Sequence, residues 1–371
     1  MKADSGARPG LTQGYASLTP QQVLDALDHV GLRGDGRILQ LNSYENRVFQ
    51  LFLEEGPSAS GLDAVAPQAV VAKFYRPGRW TDVQILEEHD FARELAAAEV
   101  PVVPPLELQP PAGAGKAGLA LLGQPPTLAC LSVDDQRHRY AVSARCAGRE
   151  PELDQPETLR RIGRFIGRLH AVGRQRVFQH RHRLDARGDG EAALALLLGS
   201  STAGQPGGFV SDDMRPAWED AARRALDAIC AAFDRLQPLA TLRLHGDCHP
   251  GNVLWRHTAT DDGPHMVDLD DACMGPAVQD LWMLVSGDAP SMRAQQALLL
   301  EGYEQFSAFD DAELQLVEPL RTLRMLRHSA WLAARWTDPS FPLNFPFFGS
   351  SAYWSQQTTQ LREQHMLMGG S

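Results

Sequence analysis

Arg-Leu-His-Gly-Asp-Cys-His-Pro-Gly-Asn-Val-Leu-Trp at 243–255, followed by His-Met-Val-Asp-Leu-Asp-Asp-Ala at 265–272, decides how the rest of the chain is read. Asp247 and Asn252 are five apart, with Pro250 and Gly251 between them. Pro and Gly set tight backbone geometry, so this stretch is a loop whose two ends can face one point. Val253-Leu254-Trp255 and Met266-Val267 flank a polar turn at 258–264, the pattern of a hairpin. Such a hairpin returns Asp268 to the side of Asn252. Asn252 and Asp268 offer hard oxygen donors suited to Mg²⁺, which keeps several waters and is completed by substrate phosphates. Asp247 stands one step aside, placed to take a proton from an attacking hydroxyl. Phosphoryl transfer needs this division, with metal on the phosphates and a carboxylate on the nucleophile.

The same residues carry a resemblance. His245-Gly246-Asp247, four residues, then Asn252 resembles the catalytic loop of the protein-kinase-like superfamily, in its aminoglycoside-phosphotransferase and choline-kinase branch. Protein kinases write that loop His-Arg-Asp and the metal-binding segment Asp-Phe-Gly. Gly246 in place of Arg, and Asp268-Leu269-Asp270 without Gly, both suit the phosphotransferase branch. Asp280 in Gly-Pro-Ala-Val-Gln-Asp-Leu-Trp (275–282) is similar to the family's Asp that braces the catalytic loop, and it is read at the head of an apolar helix. Only eleven positions separate Asp268 from Asp280, too few for a long activation loop.

Composition sets the bounds. A chain of 371 residues allows two or three lobes at roughly 100–200 residues per domain. With 43% hydrophobic and 22% charged residues the composition is that of an ordinary globular protein. A net charge of −11 argues against a nucleic-acid binder, whose footprint is basic, and against anionic membranes. The five cysteines form no C-x-x-C pair, which points to a reduced, cytoplasmic setting. Cys248 lies inside the catalytic loop, where a buried filler and an oxidation-sensitive thiol are the alternatives. No apolar run approaches the ~18 residues of a membrane span, and residues 1–18 are expected to be disordered.

Along the chain, Thr19-Pro20-Gln21-Gln22 is a helix start, and Gly34-Asp35-Gly36 a turn. Ile38–Leu41 and Val48–Leu53 read as strands around Asn42-Ser43-Tyr44-Glu45-Asn46-Arg47. In protein kinases this hairpin is the glycine-rich loop over the ATP phosphates. Here Ser43 would offer its hydroxyl instead. Ala69–Tyr75 reads as a buried strand carrying Lys73, and resembles the strand whose lysine grips the α/β-phosphates. A helix from 81 to 98, with Val83, Leu86, Phe91 and Leu95 on or near one face, supplies Glu87-Glu88 as the partner of Lys73. Glu88 is preferred on its spacing to Phe91 and Leu95, with Glu87 as the alternative. The segment 110–123 reads as a flexible excursion, 142–148 as the hinge, and 200–208 as a loop. His170, ending Gly-Arg-Leu-His, reads as core packing. An aromatic cluster from Trp331 to Trp354 is either a lobe cap or the wall of an acceptor site.

The expectation is an α+β, two-lobed kinase-like fold. A small antiparallel lobe of five strands covers 19–145, a larger helical lobe covers 149–360, and 361–371 is frayed. Leu-Asn-Ser-Tyr-Glu-Asn-Arg-Val (41–48), Lys-Phe-Tyr-Arg-Pro (73–77) and Ile-Leu-Glu-Glu-His (85–89) sharpen the resemblance to the bacterial stress-response serine/threonine kinase group. That resemblance implies a cytoplasmic, Mg²⁺- and ATP-dependent serine/threonine protein kinase that phosphorylates proteins, itself included, and serves stress survival; a monomer is expected. A small-molecule kinase and a non-catalytic ATP-binding module are the rival readings.

Overall fold

The computed structural model describes residues 15, 18–54, 69–109, 119–133, 136–199, 208–257 and 262–369. The expected disorder at 1–18, apart from Tyr15 and Leu18, lies outside them, as do most of the 200–208 loop and the tip of the 258–264 turn. The chain forms two compact units. The first takes the described residues of Met1–Pro151 with Gln179–Arg181 and Gly251–Asp270, and the second takes Glu152–Phe178, His182–Pro250 and Asp271 onward. The 251–270 hairpin therefore groups with the sheet, although in sequence it follows the helical segment.

The first unit opens with α1 (Pro20–His29), started by the Thr19–Gln22 capping box and Pro20. Strands β1 (Gly34–Leu41), β2 (Arg47–Leu53), β3 (Ala69–Phe74), β4 (Leu119–Leu122), β5 (Leu128–Val133) and β6 (Gln136–Ala144) form one sheet in the order β1-β2-β3-β6-β5-β4. Every neighbouring pair is antiparallel. The sheet has six strands rather than five, because Leu119–Leu122, inside the expected excursion, pairs with β5. Gly34–Gly36 likewise begins β1 instead of turning the chain, and a register shift between Gly34 and Ile38 absorbs the left-handed φ of +92° at Gly36.

Side chains alternate between sheet faces along a strand. On β3 this sends Val70, Ala72 and Phe74 into the core against α1, with Leu27, Leu51 and Tyr140. Lys73 takes the opposite face, the one covered by α2 (Asp82–Ala97). Thr81 and Gln84 form the capping box of α2. Its buried stripe is Ile85, Glu88, Phe91, Ala92 and Leu95, while Val83 is 51% exposed, so the apolar face begins one turn later than the sequence suggests. That shift puts Glu88 inward.

The second unit is helical: α3 (Pro156–Gly173), α4 (Ala186–Leu198), α5 (Arg215–Arg235), α6 (Ala289–Tyr303), α7 (Val317–Ala334), α8 (Ser340–Asn344) and α9 (Ser351–Gly369). Two short strands, β7 (Leu242–Leu244) and β10 (Cys273–Gly275), pair antiparallel, while β8 (Val253–His257) and β9 (Asp262–Met266) make the hairpin of the first unit. Helices α3 and α6 cross closely because Gly163 and Gly302 carry no Cβ; one built at Gly163 would lie 2.0 Å from the Leu299 carbonyl oxygen. The aromatic cluster is mainly core: Trp354 and Phe341 are fully buried, and Trp354 meets Trp218 edge-on at 5.5 Å. The tail is not frayed from 361, since α9 continues to Gly369 with Leu361 and Met368 buried. No helix among the described residues is long and apolar enough to cross a membrane.

Candidate active site

The functional side chains fall into two groups, one in each unit. In the first unit, Lys73 Nζ is surrounded by three carboxylates: Glu88 Oε1 at 3.5 Å, Asp268 Oδ1 at 3.6 Å and Asp270 Oδ1 at 3.6 Å. Burial works against the ammonium charge, but Glu88 and the neighbouring anionic groups overcome it and hold Lys73 well above the usual lysine range. For Asp270, burial raises the carboxyl, yet Lys73, Arg79, the Asn46 amide and Arg181 together bring it down to about 2. Glu88 is the partner of Lys73, as its spacing suggested. Glu87 points elsewhere, accepting the backbone N–H groups of Gln179, His180 and Arg181 at 2.5, 2.9 and 2.8 Å.

Asn252 and Asp268 flank the last rung of the β8–β9 hairpin, Val253 opposite Met266, and Val267 N–H donates to the Asn252 carbonyl at 3.1 Å. Asp268 has a left-handed backbone, φ +62°, which Asp tolerates better than most residues. Its side chain is 48% exposed even though it reaches Lys73. An amide oxygen and an accessible carboxylate at one hairpin end fit Mg²⁺, which needs few protein ligands beside water and phosphate. Among the described residues no group of three or more His, Cys, Asp or Glu side chains could hold a metal.

Ser43 sits where the sequence placed it, between β1 and β2. Its hydroxyl accepts the Asn46 N–H at 3.2 Å and so shapes the turn. The turn is fixed by Asn46, which the sequence reading passed over. Asn46 is 2% exposed, donates to Asp270 Oδ2 at 3.2 Å and accepts the Arg76 N–H at 3.1 Å. Two further residues were missed. His89 is buried between the Tyr75 hydroxyl (2.8 Å) and Thr127 Oγ1 (2.9 Å), and burial drives its pKa down to about 3, so the ring is neutral. Arg181 stacks on Trp80 at 4.1 Å and donates to the Asp270 carbonyl at 2.5 Å. His-for-polar or Arg-for-polar choices in a helix or loop carry no periodic signal, so only the tertiary contacts reveal them.

In the second unit, Asp280 receives the His245 N–H on Oδ2 at 2.7 Å and the Gly246 N–H on Oδ1 at 2.8 Å. The bracing role suggested by resemblance is thus present in the geometry, although Asp280 ends a single 3₁₀ turn, Ala277–Asp280, and does not head an apolar helix. His170 is core, as read, and adds a bond: its Nε2 lies 3.1 Å from Asp280 Oδ2 and its Nδ1 2.9 Å from the Tyr303 hydroxyl. Gly246 adopts φ +86°, and a Cβ there would sit 2.1 Å from the Asp271 carbonyl oxygen. That explains Gly where protein kinases have Arg. Asp247 meets Arg324 Nη1 at 2.5 Å and His249 Nε2 at 3.5 Å. Burial raises its carboxyl, but the His249 hydrogen bond and the Arg324 guanidinium outweigh this and hold it well below the usual carboxylate range. Cys248 is fully buried, and burial pushes its thiol up, which makes it a poor thiolate.

Residues 39–317 match the model of the phosphotransferase enzyme family. The chain is 39% identical over 350 residues to stress response kinase A of Escherichia coli (strain K12), covering 94% of this chain and 93% of that one. It is 39% identical over 355 residues to the serine/threonine protein kinase RdoA of Salmonella typhimurium, covering 95% and 94%. Among solved structures, amicoumacin kinase hAmiN in complex with AMP-PNP, Ca²⁺ and Ami superposes with a TM-score of 0.66 at 17% identity, over 94% of both chains. The microcompartment-associated aminopropanol kinase superposes with a TM-score of 0.63 at 15% identity, over 95% of this chain and 97% of that one. At those identities the superpositions speak for the fold alone.

Proposed function

The chain belongs to the phosphotransferase enzyme family, and on that premise we propose that it is a cytoplasmic, ATP- and Mg²⁺-dependent serine/threonine protein kinase of stress survival that also phosphorylates itself. The observation that carries this reading is the charge arrangement around Lys73 and Asp247: one ammonium among three carboxylates, and one carboxylate kept ionised by two cationic or polar neighbours. A 39% identical relative, the serine/threonine protein kinase RdoA of Salmonella typhimurium, supports the choice of acceptor.

In this mechanism Lys73 neutralises the nucleotide phosphates, and Glu88 fixes its ammonium. Ser43 and its turn cover the phosphates. The backbone of the 142–148 hinge pairs with adenine. Asn252 and Asp268 hold Mg²⁺, which when bound supplies charge neutralisation on the transferring phosphoryl group. Asp247 orients the acceptor hydroxyl and takes its proton as the oxygen bonds to the γ-phosphorus and the bond to the leaving ADP oxygen breaks. A carboxylate of very low pKa is a weak base. It suffices because phosphoryl transfer passes through a loose transition state, in which the hydroxyl proton is released late.

The test is incubation of the purified protein with Mg²⁺ and γ-labelled ATP beside Asp247→Ala. Label on serine or threonine in the wild type alone is the expected result. ATP consumption that rises only with an added small alcohol or sugar would replace the protein acceptor with a small molecule. ATP binding without turnover would leave a signalling module, a reading disfavoured because the sequence carries all of Lys73, Asp247, Asn252 and Asp268.

A further inference from the structure

Helix α7 carries Arg321, Arg324, Arg327 and His328 against a single acid, Glu318, in a chain whose net charge is −11. Arg321 is paired with Glu318 at 2.8 Å, and Arg327 approaches Asp189 at 3.9 Å. Arg324 differs from both in its partner: it donates to Asp247, and it stays about as exposed as Arg327, 46% against 45%. One turn further along the same helix, His328 lines a cavity of about 390 Å³ between α7 and α9. The other walls include Met325, Phe347, Tyr353, Gln356 and Gln360, so the cavity is lined by rings, a thioether and amides with no carboxylate among them. Two large apolar side chains stand open in the α8 region, Leu343 at 82% and Phe347 at 50% exposure.

A cationic amine in this cavity would find no carboxylate to replace its water, and the Arg324 guanidinium one turn back on α7, outside the cavity wall, would repel it. A carboxylate would meet a planar donor fork with N–H groups beyond the one given to Asp247. An extended segment with apolar side chains could also cover the exposed Leu343 and Phe347. We propose that Arg324 is a specificity-determining residue, which reserves Asp247 for serine or threonine hydroxyls flanked by acidic side chains and delivered along the α7–α9 cavity. The proposal rests on the kinase reading above and deepens it by naming the acceptor.

The experiment compares three serine peptides, identical except for flanking Glu, Ala or Lys residues, together with an aminoglycoside. Acceptor-dependent rates are measured for wild type, Arg324→Glu and Gln360→Glu, and the acidic-to-basic ratio is taken within each protein so that altered folding or nucleotide affinity cancels. In the wild type each acidic flank is expected to raise kcat/KM by roughly threefold, fading at high salt. Arg324→Glu should invert the order, and Gln360→Glu, which puts a carboxylate on the cavity wall, should flatten it. An unchanged order in Arg324→Glu, an equal fall with every acceptor, or the aminoglycoside as best acceptor overturns the proposal; no effect of Gln360→Glu overturns the cavity as the route. If no acceptor is phosphorylated by any of the proteins, the kinase reading fails first. Fluorescence anisotropy of the labelled peptides then decides the rest: acid-selective binding lost in Arg324→Glu sustains the subsite, and binding blind to charge removes it.

Discussion

The Lys73 group and the Asp247 group are both built from charges, and they are built in opposite ways. Lys73 is 18% exposed and Asp270 3%, within a buried net that also engages Arg79, Asn46 and Arg181. Asp247 is 24% exposed and its Arg324 partner 46%, with the two backbone N–H groups that precede Asp247 held by Asp280. The first group has rigid charges and oxygens without hydrogen-bond partners, Glu88 Oε2 and Asp270 Oδ1. The second has an accessible carboxylate on a rigid backbone. A site that grips one constant ligand gains from burial, which strengthens each charge interaction. A group that must meet exchanging acceptors has to stay open, so it is positioned through its main chain.

The largest expected effect tests the open side. Asp247→Ala should lower turnover by about 10²–10⁴ while leaving nucleotide affinity intact, checked by label transfer beside calorimetric titration with nucleotide. Intact turnover would remove Asp247 from the reaction. The buried side is probed next by Lys73→Met, which leaves carboxylates without their cation. Losing one partner of a buried charge set costs about 3–5 kcal/mol, so a marked drop in Tm should accompany the loss of nucleotide binding. If stability were unchanged, the contrast between the two groups would collapse.

Asp280→Asn and Gly246→Ala ask whether the main chain positions Asp247. Asparagine keeps the shape but turns one oxygen into a donor facing an N–H, and an unsatisfied buried group costs about 1–3 kcal/mol. Both variants should lower kcat far more than nucleotide affinity, read from steady-state kinetics and nucleotide titration; equal losses in the two would instead mean general damage. Acid titration examines the buried net. Because the folded pKa of Asp270, about 2, lies below its ordinary value of 3.8, its contribution is present above that ordinary value and fades as pH falls towards the folded one. The Tm gap between wild type and Asp270→Asn should therefore narrow on acidification through that window. Glu87→Gln is the mildest. It weakens the hold on Gln179–Arg181 and should cost about 1 kcal/mol with only a small rise in the KM for ATP. A large fall in kcat would give Glu87 more than this anchoring part.

The local sequence reached far because kinase-like chemistry is written in short stretches. The turn chemistry of Pro250-Gly251 and the apolar runs around 258–264 sufficed for the hairpin that brings Asn252 and Asp268 together. The choice of Glu88 over Glu87 came from helical spacing, and α2 buries Glu88 on the Ile85–Ala92 stripe. Element edges were less legible. Leu119–Leu122 looked like part of a Pro/Gly/Ala excursion, because a four-residue strand gains its stability from a partner, β5, that is not in its own sequence. The helical tail beyond 361 was lost for a similar reason: α9 has little amphipathic pattern and is held by Trp354 and Leu361 in the core.

By itself, then, the sequence determined which residue types are the candidates for the chemistry and the order in which the chain presents them, since spacing, turns and periodicity are local. Tertiary structure alone decided which charges share a neighbourhood. Asn46 against Asp270, Arg181 on Trp80, His170 under Asp280 and Arg324 on Asp247 join residues 77 to 224 positions apart. Such pairs leave no periodic mark, because an ion pair or hydrogen bond depends on distances of a few ångströms that only the folded backbone sets.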